Sequence, residues 1–286
     1  MIAAATTKNG NVTASRRKAD RNFIPRCPPE ARAGADKQDG KIALPSLSTH
    51  TPFPAVTENM SQFEIDPTSL ARETPIRFRG PAGEIEGLWR PVRPDRVPRG
   101  VIVVAHPLPT HGGTMLNKVV FHTARALHHD LDLASLRFNF RGTGESEGPY
   151  DEGRGEPDDV RAAWAEARRR VNGGVLVAAG FSFGAAMTLK AVMRAAAEGE
   201  PVPDAVAVLG LPLKRFNLPE PFPVPVPIAA VHGELDGFTP PEAVGEFLES
   251  WPGPKAFRVE PGADHFLEGS LVSAIRFLSH TLSNWL

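Results

Sequence analysis

Residues 174–189, GVLVAAGFSFGAAMTL, decide the fold of this chain. The apolar run up to Ala179 has the length and continuity of a strand covered on both faces, and the stretch after Gly184 reads as a helix. Between them Ser182 stands with Gly180 and Gly184 two residues away on either side and a phenylalanine next to it on each flank. Such a turn is so tight that Cβ atoms beside it have no room, which gives both glycines a task. A serine at a sharp strand-to-helix turn is the context that a G-x-S-x-G nucleophile requires. The turn lifts Oγ to the carboxyl end of the strands, and the helix N-terminus sets amides and a positive dipole end beside it. A serine that merely capped the helix would account for Ser182 but not for both glycines.

Upstream and downstream, strand-like and helix-like segments alternate from Gln62 onward. PIRFRG (75–80) and EIEGLWRPV (84–92) read as paired strands around the turn PAG, and GVIVVAH (100–106) as a strand buried on both faces. A helix is predicted from about Met115 to His128, then a strand in LASLRFNF (133–140), and a helix from about Pro157 to Val171 with its proline in the first turn. After the quoted turn a helix should run to about Ala197. Strands in DAVAVLG (204–210) and VPIAAVHG (226–233), a helix near Pro241 to Ser250 and a strand in KAFRVE (255–260) follow. Leu271, Ile275, Leu278, Leu282 and Trp285 make one apolar stripe on a last helix. The expected fold class is α/β: a mainly parallel eight-stranded sheet with helices on both faces, the opening strand pair forming an antiparallel edge.

Residues 1–59 differ in kind. They mix Pro, Gly, Ser, Thr and charge without periodicity and hold few large apolar residues, so they are expected to form a disordered extension ahead of a domain at 60–286. Met60 is the only methionine between Met1 and Met115, which suggests a natural start at or near Met60. The acidic residues Asp20, Glu30, Asp36 and Asp39 argue against a targeting peptide. The 286 residues carry 32 basic and 33 acidic side chains, a net charge of −1, which points to neither nucleic acid nor an anionic membrane as partner. No apolar run approaches the ~20 residues of a membrane span. A single cysteine, Cys27, excludes an internal disulfide framework and a cysteine-rich metal site, and a cytoplasmic location is expected. Neither a cofactor nor a metal is called for, and the oligomeric state is not legible.

A serine hydroxyl needs a base, and the base needs an acid to orient it, in the chain order Ser, acid, His for this kind of fold. Three histidines follow Ser182. His280 lies in the last helix and His232 at a strand end ahead of the acid candidates. His265, in the loop EPGADHFLEG, is placed to reach over the sheet edge, and is the candidate base. GELDG after the seventh strand offers Glu234 and Asp236; Asp236, deeper in the turn and followed by Gly237, is preferred. Asp264 reads as a turn residue, since adjacent side chains in a loop diverge. The amides of Phe183 and Leu108 are the candidate oxyanion donors, because Pro107 and Pro109 have no N–H. His106 is expected to make a structural hydrogen bond. Phe181, Leu211 and Tyr150 are the expected walls of an open cleft.

Two further motifs invite chemistry and lose to plainer readings. RGTGESEG (141–148) is one residue too long for a dinucleotide fingerprint, and Pro149 follows where a helix should be running, so a packed turn is expected. His128–His129–Asp130 is too compact on a helix for its side chains to converge on a metal, and a solvated helix end is expected.

From about Glu64 onward the chain resembles the alpha/beta hydrolase superfamily. HPLPTHGGTMLNKVV, LRFNFRGTGESEG and GRGEPDDVRAAW are similar to a small bacterial group of lid-poor members. In that group the first loop reads His-Pro-His-Pro and an acidic residue precedes Asn-Lys. This chain has Leu108 and Leu116 there, which leaves the backbone donor at 108 intact. The resemblance implies acyl ester hydrolysis by Ser182, Asp236 and His265 on a small-molecule acyl substrate. The same residues could run peptide or thioester cleavage. A non-catalytic binding protein predicts a broken triad, and none of the three positions is broken. The connection LPLKRFNLPEPFPVPVP is too short and proline-rich for a helical cap, so an open cleft that favours small or flexible acyl groups is expected.

Overall fold

The computed structural model describes residues 73–92, 95–219 and 222–286. The expectations for residues 1–59, and for a start at Met60, lie outside the described residues. Eight strands form one sheet in the order β1-β2-β4-β3-β5-β6-β7-β8. They are β1 (Thr74–Gly80), β2 (Gly83–Arg90), β3 (Gly100–Ala105), β4 (Ala134–Phe138), β5 (Val175–Phe181), β6 (Ala205–Leu209), β7 (Ile228–Gly233) and β8 (Lys255–Glu260). β2 runs antiparallel to both of its neighbours, and every pairing from β4 through β8 is parallel.

The helices are α1 (Lys118–Asp130), α2 (Glu156–Val171), α3 (Phe183–Ala197), α4 (Leu213–Phe216), α5 (Pro241–Glu249) and α6 (Leu271–Trp285). Their faces follow from the period-2 alternation of the strands. Val101, Val103, Leu176 and Ala178 pack with α2, α3 and α5, whereas Ile102, Val104, Val177 and Ala179 pack with α1 and α6. Uninterrupted apolar strands are therefore necessary, since both faces of the sheet are covered. α1 begins three residues later than the pattern predicts because Asn117 caps it, its side chain accepting from the amides of Val119 and Val120.

β3 lies between β4 and β5, so the chain leaves β3 and β5 toward opposite sides. That reversal opens a crevice at the carboxyl ends of these two strands, where α/β sheets bind ligands. Between β6 and β7 the described residues hold only the four-residue helix α4, and among the described residues no cap domain lies in this connection.

Candidate active site

The turn at 180–184 is built by close approach. A Cβ on Gly180 would land on the backbone of Gly184 and Ala185, and one on Gly184 would land on the carbonyls of Ala105 and His106. The first contact lets β5 fold back onto α3; the second presses the turn against the end of β3. Ser182 takes φ 54° and ψ −119°, a conformation that costs a non-glycine residue roughly 1–3 kcal/mol. Its own amide donates to the Leu209 carbonyl at 2.9 Å, and its carbonyl accepts from Ala185 and Ala186, so the surroundings hold the strained residue in place.

Three loops bring Ser182, His265 and Asp236 into one hydrogen-bonded row. His265 Nε2 lies 2.8 Å from Ser182 Oγ, and His265 Nδ1 lies 2.6 Å from Asp236 Oδ2. The carboxylate only accepts, so Nδ1 carries the proton and Nε2 is left to accept from the serine. Asp236 Oδ1 accepts from the amides of Phe238 (2.8 Å) and Thr239 (3.2 Å). Burial acts to raise the Asp236 carboxyl, but the hydrogen bond from His265, the Phe238 amide and the neighbouring imidazoles outweigh it and hold the group below its usual range. Glu234 is exposed and accepts from the Gly262 amide at 2.7 Å, while Asp264 accepts from Phe266 and Glu268 within its own turn.

One buried imidazole in this cluster was passed over in the sequence. His232 Nε2 lies 2.8 Å from the Thr239 carbonyl and 3.2 Å from Asp236 Oδ2. Both are acceptors, so Nε2 bears hydrogen; it donates to the Thr239 carbonyl and sets its positive end close to the acid. Its Nδ1 is buried with no hydrogen-bond partner among the described residues, and burial pushes the ring's pKa down. The spacing His-x-x-x-Asp across the turn that leaves β7 is the signal that could have flagged it.

The loop after β3 stands against the serine turn. Leu108 O accepts from His111 and Gly113, and the amides of Leu108 and Phe183 find no acceptor among the described residues. His106 fixes the start of this loop. Its Nδ1 donates to the Pro107 carbonyl at 2.6 Å and its Nε2 accepts from the Phe140 amide at 3.1 Å. Burial drives its pKa to about 4, against the opposing pull of that carbonyl, and keeps the ring neutral. The far end is held by RFNFRG: Asn139 Oδ1 accepts from the Met115 amide, Arg137 donates to the Met115 carbonyl, and Arg141 forks onto Asp159 of α2.

Other expected residues are placed less simply. Phe181 is fully buried with its ring 5.3 Å from that of His265 and supports the imidazole from beneath, while Leu211 is buried in the core. An open wall must have accessible surface, and of the three only Tyr150, half-buried with its ring 6.0 Å from that of Phe183, retains some. RGTGESEG is a packed turn: Glu86 Oε1 accepts from the Glu145 amide and occupies the space where a Gly144 Cβ would stand. His128 turns to the Leu133 carbonyl, whereas His129 Nδ1 lies 3.1 Å from Asp130 Oδ1 and Ser279 donates to Asp130, so the three do not converge on one point.

The comparisons agree with this geometry at the level of fold. No protein-family model matches the chain. An uncharacterized protein of Rickettsia prowazekii (strain Madrid E) is 40% identical over 121 residues, 42% of this chain and 49% of that protein. The match thus spans about half the length of that relative. A lid-less a/b serine hydrolase from Xanthomonas campestris is 33% identical with a TM-score of 0.67, covering 75% of this chain and 95% of its own. An alpha-beta serine hydrolase homologue from Coxiella burnetii is 32% identical with a TM-score of 0.63, covering 73% and 97%. A putative alpha/beta hydrolase from Agrobacterium tumefaciens is 26% identical with a TM-score of 0.66, covering 74% and 95%.

Proposed function

The chain belongs to the alpha/beta serine hydrolases, and from that membership we propose that it is a carboxylesterase-type serine hydrolase working through Ser182, His265 and Asp236. The observation that supports this reading most strongly is the row from Asp236 Oδ2 through His265 to Ser182 Oγ, with links of 2.6 and 2.8 Å. In the proposed reaction His265 Nε2 takes the serine proton as Oγ attacks the acyl carbon. The Phe183 and Leu108 amides receive the charge that develops on the acyl oxygen, and Asp236 steadies the imidazolium. The tetrahedral species collapses as His265 returns the proton to the departing alcohol. Water, deprotonated by the same imidazole, then releases the acid from the acyl-enzyme.

The short connection between β6 and β7, with no cap domain among its described residues, favours small or flexible acyl groups. The balanced charge and single cysteine support a cytoplasmic setting. The first test is labelling with a fluorophosphonate probe followed by peptide mass spectrometry, alongside hydrolysis of a series of acyl esters. We expect an adduct on Ser182 that is absent from Ser182→Ala and weaker in His265→Ala, with activity declining toward long acyl chains. A folded protein that takes no label and hydrolyses no ester would exclude the proposal.

A further inference from the structure

Five large apolar side chains are highly exposed among the described residues, and four of them belong to the loops that carry the site: Leu116, Leu235, Phe238 and Phe266. Exposed apolar surface gathered in one place marks a ligand or partner site. The two phenylalanines stand in a definite relation to the chemistry. The Phe238 ring meets that of His265 edge-on with centroids 4.6 Å apart, and the Phe266 ring meets it edge-on at 5.5 Å, while 62% and 56% of these residues remain exposed. Each is held by the chain at its root. The Phe238 amide donates to Asp236 Oδ1 at 2.8 Å, and the Phe266 amide donates to Asp264 Oδ1 at 2.9 Å. Two Asx turns therefore raise two aromatic rings beside one imidazole, and one of those turns is made by the acid that orients it.

Resting on the esterase reading above, we propose that Phe238 and Phe266 form the subsite for the alcohol half of the ester, and that the preferred substrates are esters of aromatic or similarly broad apolar alcohols. The direction of the chemistry decides which half lies there. His265 Nε2 must protonate the departing oxygen, so that oxygen and its substituent sit over the imidazole. The acyl oxygen must instead lie against the Leu108 and Phe183 amides. Groups packed around the imidazole thus meet the alcohol. An aromatic alcohol fits because rings inclined at 60° and 83° to the imidazole offer it faces and edges at the spacing aromatic pairs prefer. A second macromolecule resting on these rings would stand over Ser182 Oγ and block the reaction.

Hydrolysis of benzyl acetate and of 2-methoxyethyl acetate tests this, because the two share an acyl group and have alcohols of similar acidity. The ratio of their kcat/KM values would be measured for the full chain and for Phe238→Ala and Phe266→Ala, with a series of methyl esters of increasing acyl length as control. We expect the ratio to favour the benzyl ester and to fall roughly five- to tenfold in each variant, while relative rates along the acyl series keep their order. An unchanged ratio in variants that retain the parent melting temperature would overturn the subsite, and so would a change confined to the acyl series. Phe238→Tyr, which keeps the ring, should preserve the ratio if alanine impairs folding, and its loss there would also count against the proposal. If no acetate ester is cleaved in a Ser182-dependent way, the esterase reading itself fails and this inference falls with it.

Discussion

Asp236 accepts from three donors, the imidazole of His265 and the amides of Phe238 and Thr239, and the Nε2–H of His232 lies 3.2 Å away. So many donors favour a charged, motionless carboxylate, whose proposed task is to hold the His265 tautomer. Asp236→Asn should lower kcat by about 10³–10⁴-fold, because an amide at this position no longer enforces that tautomer. Glu234→Gln should change it by only a few-fold, since its oxygen can still accept from Gly262. Steady-state kinetics on any ester that the enzyme accepts separates the two; equal losses would refute the assignment of the acid. His232 invites a finer test. Without its N–H the Asp236 carboxylate is less stabilised and holds the imidazolium more tightly. The acidic limb of kcat/KM should therefore move to higher pH in His232→Leu and return in His232→Gln, whose side-chain amide can replace the Nε2 donor. A merely structural histidine would leave that limb unmoved in both variants.

At the scale of the element, the β5–α3 turn concentrates strain where the chemistry is proposed. Ser182 at φ 54° pays for its position in stability, as functional residues commonly do. Ser182→Gly should accordingly be more stable than Ser182→Ala by about 1 kcal/mol, although both lose the hydroxyl and the hydrogen bond to His265. Denaturant titration of the two variants gives the difference directly, and equal midpoints would mean that the turn stores no strain. Gly184→Ala should behave in the opposite way. Its new Cβ meets backbone at the end of β3 rather than a flexible side chain, so the strand or the helix must shift and both stability and activity should fall. The loop after β3 has its own ties, through His106, Asn139 and Arg137, which fix both ends of the segment that carries Leu108.

The fold as a whole sets a pH dependence through those buried imidazoles. His106 titrates at about 4 in the folded protein against 6.5 in the unfolded chain, where the ring meets water. The unfolded chain therefore binds a proton that the folded one refuses between these values. Stability should be fully present above pH 6.5, decline as the pH falls toward 4, and lose on the order of 3 kcal/mol from this residue. His232 is shifted in the same direction and adds to the decline. Unfolding free energies at pH 7 and pH 4.5 should differ more in the parent protein than in His106→Phe, which has no ring to protonate. Equal slopes would show that His106 is already charged when folded.

Much of this molecule was legible in its sequence because the signals were local. Strand-length apolar runs, the 4-3-4-3 stripe of α6 and the paired glycines around Ser182 each report constraints that act within a few residues, and they identify the elements, their order and the fold class. The His after β8 and the acid after β7 were legible for a related reason: parallel strands deliver their following loops to the same edge. What the tertiary structure alone decided depends on contacts between residues far apart in the chain. Phe181 lies under His265 and Phe266 of the loop after β8, and Leu211 joins the core on the face covered by α2, α3 and α5, which no alternation pattern records. The approach of His232 to Asp236 and the exposed rings of Phe238 and Phe266 beside His265 arise where β7 and β8 end side by side. Sequence periodicity tells a residue which face of its own element it occupies. Only packing between elements determines which side chain meets it there.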